Sequence, residues 1–324
     1  MIRRNFLSLS LLGLGSALPW ASARAQNTPA GTKLVIADQS ELVRNLLQAS
    51  GERDKLNLEL PNFAGGPAIY EAIRAGALDA AYVGDTPPIQ ARAAGTLLPI
   101  VASFTRDRAQ YILTTRPGLT IDKLADLKGK KLSYIEGSGR QVYLIEALNR
   151  AGLGLSDVEL VHLRVADLPD AIRSGAVDVA VLQEPHVTRL AKQVGASPVR
   201  DPQERNILPS TSYFYARPDV LADPAKSAAL REFIAAFTRA ATWSNANQAE
   251  WGKHYYIKFQ RISPDDTQTI LASQSPLVLQ TSEEAIPHHQ KLIDILYQAG
   301  AIKERFDARL SFVDTYDDTI TASR

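Results

Sequence analysis

Short apolar runs along the chain are each followed by a polar turn and then by a segment whose apolar residues recur at helical spacing. In the first third of the chain, such runs occupy residues 33–37 and 80–83, and a further strand is predicted at residues 56–60. Short continuous apolar runs bounded by turn residues are typical of buried strands, and their alternation with helices is typical of a parallel sheet. The pattern therefore predicts an α/β fold.

One stretch of this pattern occurs twice. Residues 72–83 and 171–182 both contain the end of a helix, a glycine and a short apolar run that begins with an aspartate, and seven of the twelve aligned positions are identical. Each copy leads directly into a polar turn that contains an acid and a proline. We therefore expect two similar lobes whose strand ends face a shared ligand. Because Asp79 and Asp178 precede their strands, we expect both to belong to the scaffold rather than to the site.

The second lobe repeats the order of the first. Strands are predicted at residues 130–135 and 158–163, and the block is bracketed by two similar segments, 110–115 and 212–216, each of which is followed directly by Arg-Pro. We interpret these segments as the two hinge crossings between the lobes; the alternative is a pair of unrelated edge strands. The expected organisation is a first lobe formed by residues 26–115 and 213–324 and a second lobe formed by residues 116–212.

The last third of the chain is predicted to be mostly helical. Apolar residues at helical spacing over residues 230–243 indicate a helix with a core face, and a second helix is expected over residues 286–299. These helices are expected to return to the first lobe. Trp243 and Trp251 are interpreted as packing residues. The His288-His289 pair follows a proline, and we expect it to lie on a solvated surface near a helix start rather than to bind a metal.

The first 25 residues are interpreted as an export signal. They contain a basic start at Arg3-Arg4, a short apolar segment over residues 7–18 and a small-residue cleavage site that ends at Ala25. The start is similar to the twin-arginine pattern, although an ordinary Sec signal with two arginines remains the alternative. Because the apolar segment is too short to span a bilayer, we expect cleavage near Ala25 and a mature protein in the periplasm.

Composition narrows the classes of function. The chain has 324 residues, which is enough for two domains, and its formal charge of +1 gives no electrostatic footprint for nucleic acid. It contains no cysteine, which excludes disulfides, a thiol nucleophile and thiolate metal sites, and its five histidines lack the spacing of a metal site. We therefore expect neither a metal nor a cofactor.

Of the predicted turns, the turn over residues 136–140 has the residue types best suited to binding an anion. Its sequence is Glu-Gly-Ser-Gly-Arg, and a helix is predicted to follow it. The two glycines expose backbone N–H groups, Ser138 supplies a hydroxyl, and the start of a helix carries partial positive charge. Arg140 adds a fixed charge that suits oxyanions. The turn lacks the spacing and the lysine of a nucleotide-binding P-loop, so ATP is not the expected ligand.

Three consecutive turns of the first lobe carry Gly, Ser or Thr residues on one edge, and they predict a polar crevice. Ser40 is expected to cap the first helix, Gly65 and Gly66 to let a backbone approach a ligand, and Pro67 to begin the next helix. In the second lobe, Glu184 has two open roles: it either caps the following helix or lines the cleft wall, or it contacts the ligand.

With these turns located, the mature chain resembles the solute-binding proteins of ABC importers, and within them the aliphatic sulfonate-binding branch, whose relatives bind taurine, nitrate or thiamine precursors. The resemblance covers roughly residues 33–315, and Gly-Asp-Thr-Pro-Pro at residues 84–88 is its most specific motif. The matching segments are residues 63–67, 71–73, 84–89, 93–95, 124–129, 137–139, 175–178 and 184–185.

The resemblance implies a type II periplasmic binding fold with two crossings and a ligand cleft between two lobes. It also implies a monomer without catalysis that captures a small organic anion, an aliphatic sulfonate above all, by lobe closure and delivers it to a membrane permease. By position, it implies the following ligand-binding residues: Gln39, Ser40, Gly65, Gly66, Pro67, Gly84, Asp85, Thr86, Ser138, Gly139, Arg140, Gln183 and Glu184.

Two departures from the sulfonate-binding pattern leave the ligand open. Gln183-Glu184 stands where those relatives typically have an aromatic residue and an aspartate, and the turn at residues 137–140 is less rich in serine. The alternatives for the same role are taurine, nitrate, an aromatic sulfonate, a sulfate ester or a thiamine-pyrimidine precursor. A second hypothesis is an enzyme similar to a sulfinate desulfinase, and the missing cysteine nucleophile argues against it.

Overall fold

The computed structural model describes residues 31–204 and 207–324, so the predicted export signal lies outside the described residues. The strands are β1 (Leu34–Gln39), β2 (Leu58–Glu59), β3 (Asn62–Phe63), β4 (Ala80–Gly84), β5 (Ile100–Arg106), β6 (Ile112–Thr115), β7 (Lys131–Tyr134), β8 (Glu159–His162), β9 (Val179–Leu182), β10 (Ser197–Pro198), β11 (Ser210–Ala216) and β12 (Val278–Gln280). The helices are α1 (Leu42–Ala49), α2 (Gly66–Arg74), α3 (Thr86–Ala93), α4 (Gly139–Arg150), α5 (Leu168–Ser174), α6 (His186–Val194), α7 (Pro218–Ala222), α8 (Pro224–Ala246), α9 (Gln248–Trp251), α10 (Pro264–Ser273), α11 (Ser282–Gln298) and α12 (Asp317–Ser323).

The strands form two sheets with the same local order. The first sheet runs β12-β5-β11-β4-β1-β2, with β3 also paired to β1, and the second runs β10-β6-β9-β7-β8. In each sheet the neighbouring strands β4-β1-β2 or β9-β7-β8 are parallel. An antiparallel strand, β11 or β6, borders each parallel set. Two mixed α/β units confirm the predicted fold class.

The repeated stretch places its aspartates at the same point of both sheets. The Asp79 N–H donates to the Val35 carbonyl at 2.8 Å, and the Asp79 carboxylate accepts the Val35 N–H at 2.9 Å. Asp178 forms the same pair with Lys131, at 2.8 and 3.0 Å. Each carboxylate thus fixes the start of the neighbouring parallel strand, far from the strand ends that carry the turns. These contacts confirm the scaffold role.

The two Arg-Pro segments also occupy equivalent positions, and each follows directly after a change of sheet, but the first lies in the other lobe from the one expected. The Arg116 N–H donates to the Asp178 carbonyl at 2.9 Å, and the Arg217 N–H donates to the Asp79 carbonyl at 3.1 Å. Residues 110–115 were expected in the first lobe, but β6 pairs with β9 in the second sheet. The chain changes sheets between β5 and β6 and again between β10 and β11. The segments are alike because β6 and β11 each border the equivalent parallel set of their own sheet.

Apolar clusters cover both faces of each sheet. On the first sheet, α1, α8 and α12 share one cluster, and α2 packs on the opposite face. On the second sheet, α4 packs on one face, and α5 and α6 pack on the other. Helix α11 packs against α4 as well as β5, so the expectation that the late helices all return to the first lobe is wrong for α11. No helix within the described ranges is long and apolar enough to cross a membrane.

The histidine pair shows a second correction. His289 is fully buried, and its Nδ1 lies 3.2 Å from the Tyr213 hydroxyl. The expected solvated surface is therefore wrong for His289. The helix begins earlier than Pro287, because Thr281 and Glu284 form a capping box in which the Glu284 carboxylate accepts the Thr281 N–H at 2.8 Å. His289 is thus a mid-helix residue that faces the first sheet.

Candidate ligand-binding cleft

A cleft lies between the two sheets, at the carboxyl ends of their parallel strands. Its volume is about 820 Å³, within the range of cavities that hold small organic ligands. Eleven of the thirteen expected site residues line it: Gln39, Ser40, Gly65, Gly66, Pro67, Gly84, Ser138, Gly139, Arg140, Gln183 and Glu184. The turns of both lobes therefore meet at one site, as the repeated pattern predicts.

Asp85 and Thr86 do not line the cleft, which corrects their expected place. Both are buried, and the Asp85 carboxylate accepts the Thr86 hydroxyl at 2.9 Å. Burial raises the pKa of Asp85 to about 6. The Asp85 Oδ1 lies 2.7 Å from the point where a Cβ on Gly139 would stand. Asp85 therefore lies at the contact between the lobes, against the first turn of α4, and behind the cleft surface.

Two of the expected glycines are explained by close packing. A Cβ on Gly139 would stand 2.6 Å from the Tyr111 hydroxyl, and a Cβ on Gly66 would stand 2.8 Å from a Pro87 ring carbon. Distances below 3.0 Å are not tolerated without movement, so only glycine lets α4 and α2 begin at these places. Because these two glycines have no side chain, the starts of α4 and α2 can lie close to neighbouring side chains.

Ser40 is not the N-cap of α1. Its backbone and that of Glu41 are left-handed, with φ of 55° and 51°. The capping group is the carboxylate of Asp38, which accepts the N–H groups of Val43 and Arg44 at 3.0 and 2.9 Å. Burial raises the pKa of Asp38 to about 6. Because Asp38 occupies these N–H groups, the start of α1 offers fewer donors to a ligand than Ser40 as a cap would have left.

The start of α4 uses several of its donors inside the turn. Ser138 precedes the helix, and its hydroxyl donates to the Ile135 carbonyl at 2.7 Å, so this donor is used inside the turn. The Gly137 N–H donates to the Gln141 side-chain oxygen at 2.8 Å, and the Gln141 N–H donates to the Ser138 carbonyl at 2.9 Å. The first N–H groups of a helix have no intrahelical acceptor, and the first two residues of α4, Gly139 and Arg140, line the cleft. The helix start is therefore the electropositive part of this wall.

Arg140 is held by neutral groups. Its Nη2 donates to the Gln183 side-chain oxygen at 2.7 Å, its Nε donates to the Val181 carbonyl at 3.2 Å, and its Cζ lies 5.2 Å from the centroid of the Tyr111 ring. Burial lowers the pKa of Arg140. Across the described residues, no carboxylate forms an ion pair with it. The guanidinium is thus positioned in the cleft wall with its charge uncompensated.

Glu184 serves as a helix cap. Its carboxylate accepts the Thr188 N–H at 3.1 Å and the Thr188 hydroxyl at 2.9 Å, within the first turn of α6. Burial raises the pKa of Glu184. Of the two roles left open by the sequence, capping accounts for these contacts, and Glu184 also forms part of the cleft wall.

One wall of the cleft and four strands, β3, β5, β10 and β12, were not predicted from the sequence. Strand β5 was not predicted, although residues 98–104 are an apolar run followed by polar residues, like the other strands. It brings Phe104 and Arg106 to the cleft. The aromatic wall consists of Tyr82, Phe104, Trp251, Tyr255 and Tyr256, in which ring centroids are 5.4 Å apart for Tyr82 and Phe104 and 4.8 Å apart for Trp251 and Tyr255.

Two sheets joined by two connections, with a ligand-sized cleft between them, define a periplasmic-binding-protein fold. The alkanesulfonate-binding protein from Xanthomonas axonopodis pv. citri, solved with MOPS bound, superimposes with a TM-score of 0.75 at 20% identity, over 87% of this chain and 98% of that one. A DszB mutant in complex with biphenyl-2-sulfinic acid gives 0.62 at 16% identity, over 90% and 99%.

The chain belongs to the NMT1/THI5-like family, because residues 53–251 match that family's model. A protein of Escherichia coli (strain K12) that is named for the binding of aliphatic sulfonates is 26% identical over 317 residues, which cover 94% of this chain and 95% of the relative. This relative thus matches the chain over nearly its whole length.

Proposed function

We propose that this chain is the periplasmic solute-binding protein of an ABC importer and that it captures a small organic anion between its lobes for delivery to a membrane permease. The observation that carries the proposal is Arg140, a partly buried guanidinium in the cleft wall that no carboxylate of the described residues neutralises. A charge without a partner in a desolvated site is costly, and an anionic ligand would offset that cost.

An aliphatic sulfonate is the proposed ligand. Its three oxygens can accept charge-assisted hydrogen bonds from Arg140 and hydrogen bonds from the backbone N–H groups of Gly139 and Arg140 at the start of α4. Apolar side chains such as Leu42 and Leu46 line the same cleft and can cover the carbon chain. The Escherichia coli relative named for aliphatic sulfonates supports this choice of anion. Taurine, nitrate, sulfate esters and thiamine-pyrimidine precursors are the competing ligands for the same role.

Closure of the lobes follows from the placement of the site. Ligand groups of the first lobe, such as Gln39, and of the second lobe, such as Arg140, line one cavity. A ligand that contacts both lobes binds the closed state better than the open state and therefore shifts the population towards closure. Binding without catalysis fits the absence of cysteine from the sequence, because a desulfinase-type reaction requires a thiol nucleophile.

A thermal-shift panel tests the proposal. The mature chain would be heated with alkanesulfonates, taurine, nitrate, a sulfate ester and a thiamine-pyrimidine precursor, each at the same concentration. A ligand that binds only the folded state raises the apparent melting temperature by mass action. We expect alkanesulfonates to give the largest rise. A larger rise with another compound of the panel would identify that compound class, and not a sulfonate, as the ligand. Turnover of a sulfinate would overturn the binding role.

A further inference from the structure

A second arginine lines the cleft from the opposite lobe. Arg106 ends β5 in the first sheet, whereas Arg140 belongs to the turn after β7 in the second sheet. Arg106 is partly buried, and its Nη1 donates to the Ser275 carbonyl. A guanidinium has five N–H donors, so most of its donors are not used by this one contact.

The surroundings of Arg106 leave its charge uncompensated. Its electrostatic neighbours are the phenol groups of Tyr82 and Tyr256. Burial raises the pKa of Tyr82 to about 12 and also raises that of Tyr256, so both phenols are neutral near pH 7. No carboxylate in residues 31–204 or 207–324 forms an ion pair with Arg106. Gln274 donates to the Tyr256 hydroxyl at 2.6 Å, which leaves the phenolic proton free to be donated elsewhere.

Arg108 also lines the cleft in the same segment, but its contacts are those of a structural arginine. It is exposed, and its Nη1 donates to the carbonyls of Ala272 and Ser273 at 3.1 and 3.4 Å, in the last turn of α10. Cations near the end of a helix satisfy its free carbonyls and complement its dipole. These contacts with the end of α10 account for the position and charge of Arg108. The single carbonyl contact of Arg106 leaves a desolvated charge unexplained.

We propose that Arg106 forms a second oxyanion subsite and that the ligand carries two anionic groups. The sulfonate binds Arg140 and the start of α4, as in the function proposed above, on which this inference rests. A carboxylate at the other end of the ligand binds Arg106, and the planar guanidinium can meet it with two parallel hydrogen bonds. The aromatic wall, which includes Tyr82 and Phe104, covers the carbon frame between the two groups.

Matched pairs of ligands test the subsite. In each pair a methyl group replaces the carboxylate: sulfoacetate with ethanesulfonate, and para-sulfobenzoate with para-toluenesulfonate. Isothermal titration calorimetry would be run on the wild type, on Arg106→Gln and on Arg108→Gln as the control. We expect at least one sulfocarboxylate to bind roughly tenfold or more tightly than its methyl partner, as a charge-assisted hydrogen bond allows. Arg106→Gln should abolish that preference, and Arg108→Gln should keep it.

The outcomes separate this inference from the function on which it rests. Equal affinity for both members of every pair would overturn the subsite while leaving sulfonate binding intact. A loss of affinity in Arg106→Gln that is the same for both members would assign the residue a structural role and overturn the subsite as well. No binding of any sulfonate would overturn the proposed function itself. If Arg106→Gln does not fold, Arg106→Lys keeps the charge and should retain a reduced preference; a full preference would contradict the bidentate contact.

Discussion

Gln183 accepts a hydrogen bond of 2.7 Å from Nη2 of Arg140, and this contact links the turn after β9 to the first turn of α4. Two residues that the sequence singled out separately are therefore one unit. Because Gln183 is neutral, it orients the guanidinium without cancelling its charge. We therefore propose that Gln183 acts on a ligand through Arg140.

Changing Gln183 tests this relationship. Gln183→Ala should weaken sulfonate binding roughly tenfold, since it removes a hydrogen bond to a charged group. Gln183→Glu should weaken it further, because a carboxylate at this position pairs with Arg140 and competes with the anion. Calorimetric titration of hexanesulfonate measures both. An affinity for Gln183→Glu equal to that of the wild type would contradict the role of Arg140 as the anion contact.

Gly139 should not tolerate even one added methyl group. Gly139→Ala places a Cβ within 2.7 Å of both the Tyr111 hydroxyl and Asp85 Oδ1. The lobes must then separate or the start of α4 must shift, and we expect a loss of about 1–3 kcal/mol in unfolding free energy, as for other overpacked sites. Denaturant unfolding measures it. Gly154→Ala is the control, because its nearest neighbours are 3.9 Å away; equal effects would show that crowding is not the cause.

The raised pKa of Asp85 predicts that the free energy of unfolding depends on pH, with a definite sign. Its folded-state pKa of about 6 lies above the usual 3.8, so the protonated form is favoured by folding. Its contribution to stability is complete below pH 3.8 and is lost as the pH rises through about 6. Asp85→Asn should therefore gain stability relative to the wild type, on the order of 1–3 kcal/mol, at pH 7.5 and lose that advantage near pH 4. Unfolding curves at both pH values measure the difference, and a constant difference would contradict it.

Asp178 should affect stability without affecting affinity. Asp178→Ala removes the acceptor of the Lys131 N–H and the partner of Arg116, which lies 2.9 Å away. We expect a loss of about 1–3 kcal/mol in unfolding free energy from the unsatisfied groups. The dissociation constant for hexanesulfonate should stay within about twofold, a difference under 0.5 kcal/mol. A large change in affinity with unchanged stability would move Asp178 from the scaffold to the site.

The sequence predicted what depends on local periodicity and turn chemistry. Alternating strands and helices, the repeated stretch and the turns at the strand ends all identify the fold and the polar turns that line the cleft. What it did not predict depends on which strand pairs with which. The place of β6 in the second sheet is set by its ladder with β9, and nothing within residues 110–115 encodes that choice.

Side-chain roles at the cleft follow the same division. Asp38, and not Ser40, caps α1 because the chain turns back after β1 through two left-handed residues. A helix pattern in the sequence does not reveal this backbone conformation. Asp85 does not line the cleft because α3 and α4 begin against each other. This is a contact between segments that are distant in the sequence. Arg106 was missed because its strand was missed. Tertiary contacts therefore decide which polar residues of a turn reach the ligand.

The most direct test of the central claim is the affinity of Arg140→Ala for an alkanesulfonate. Calorimetric titration with hexanesulfonate would compare it with the wild type and with Arg305→Ala, whose exposed guanidinium already pairs with Asp294 at 2.8 and 3.3 Å and does not line the cleft. We predict that Arg140→Ala raises the dissociation constant roughly 30-fold or more, as loss of a desolvated charge contact does, and that Arg305→Ala leaves it nearly unchanged. Unchanged affinity in Arg140→Ala would contradict the account.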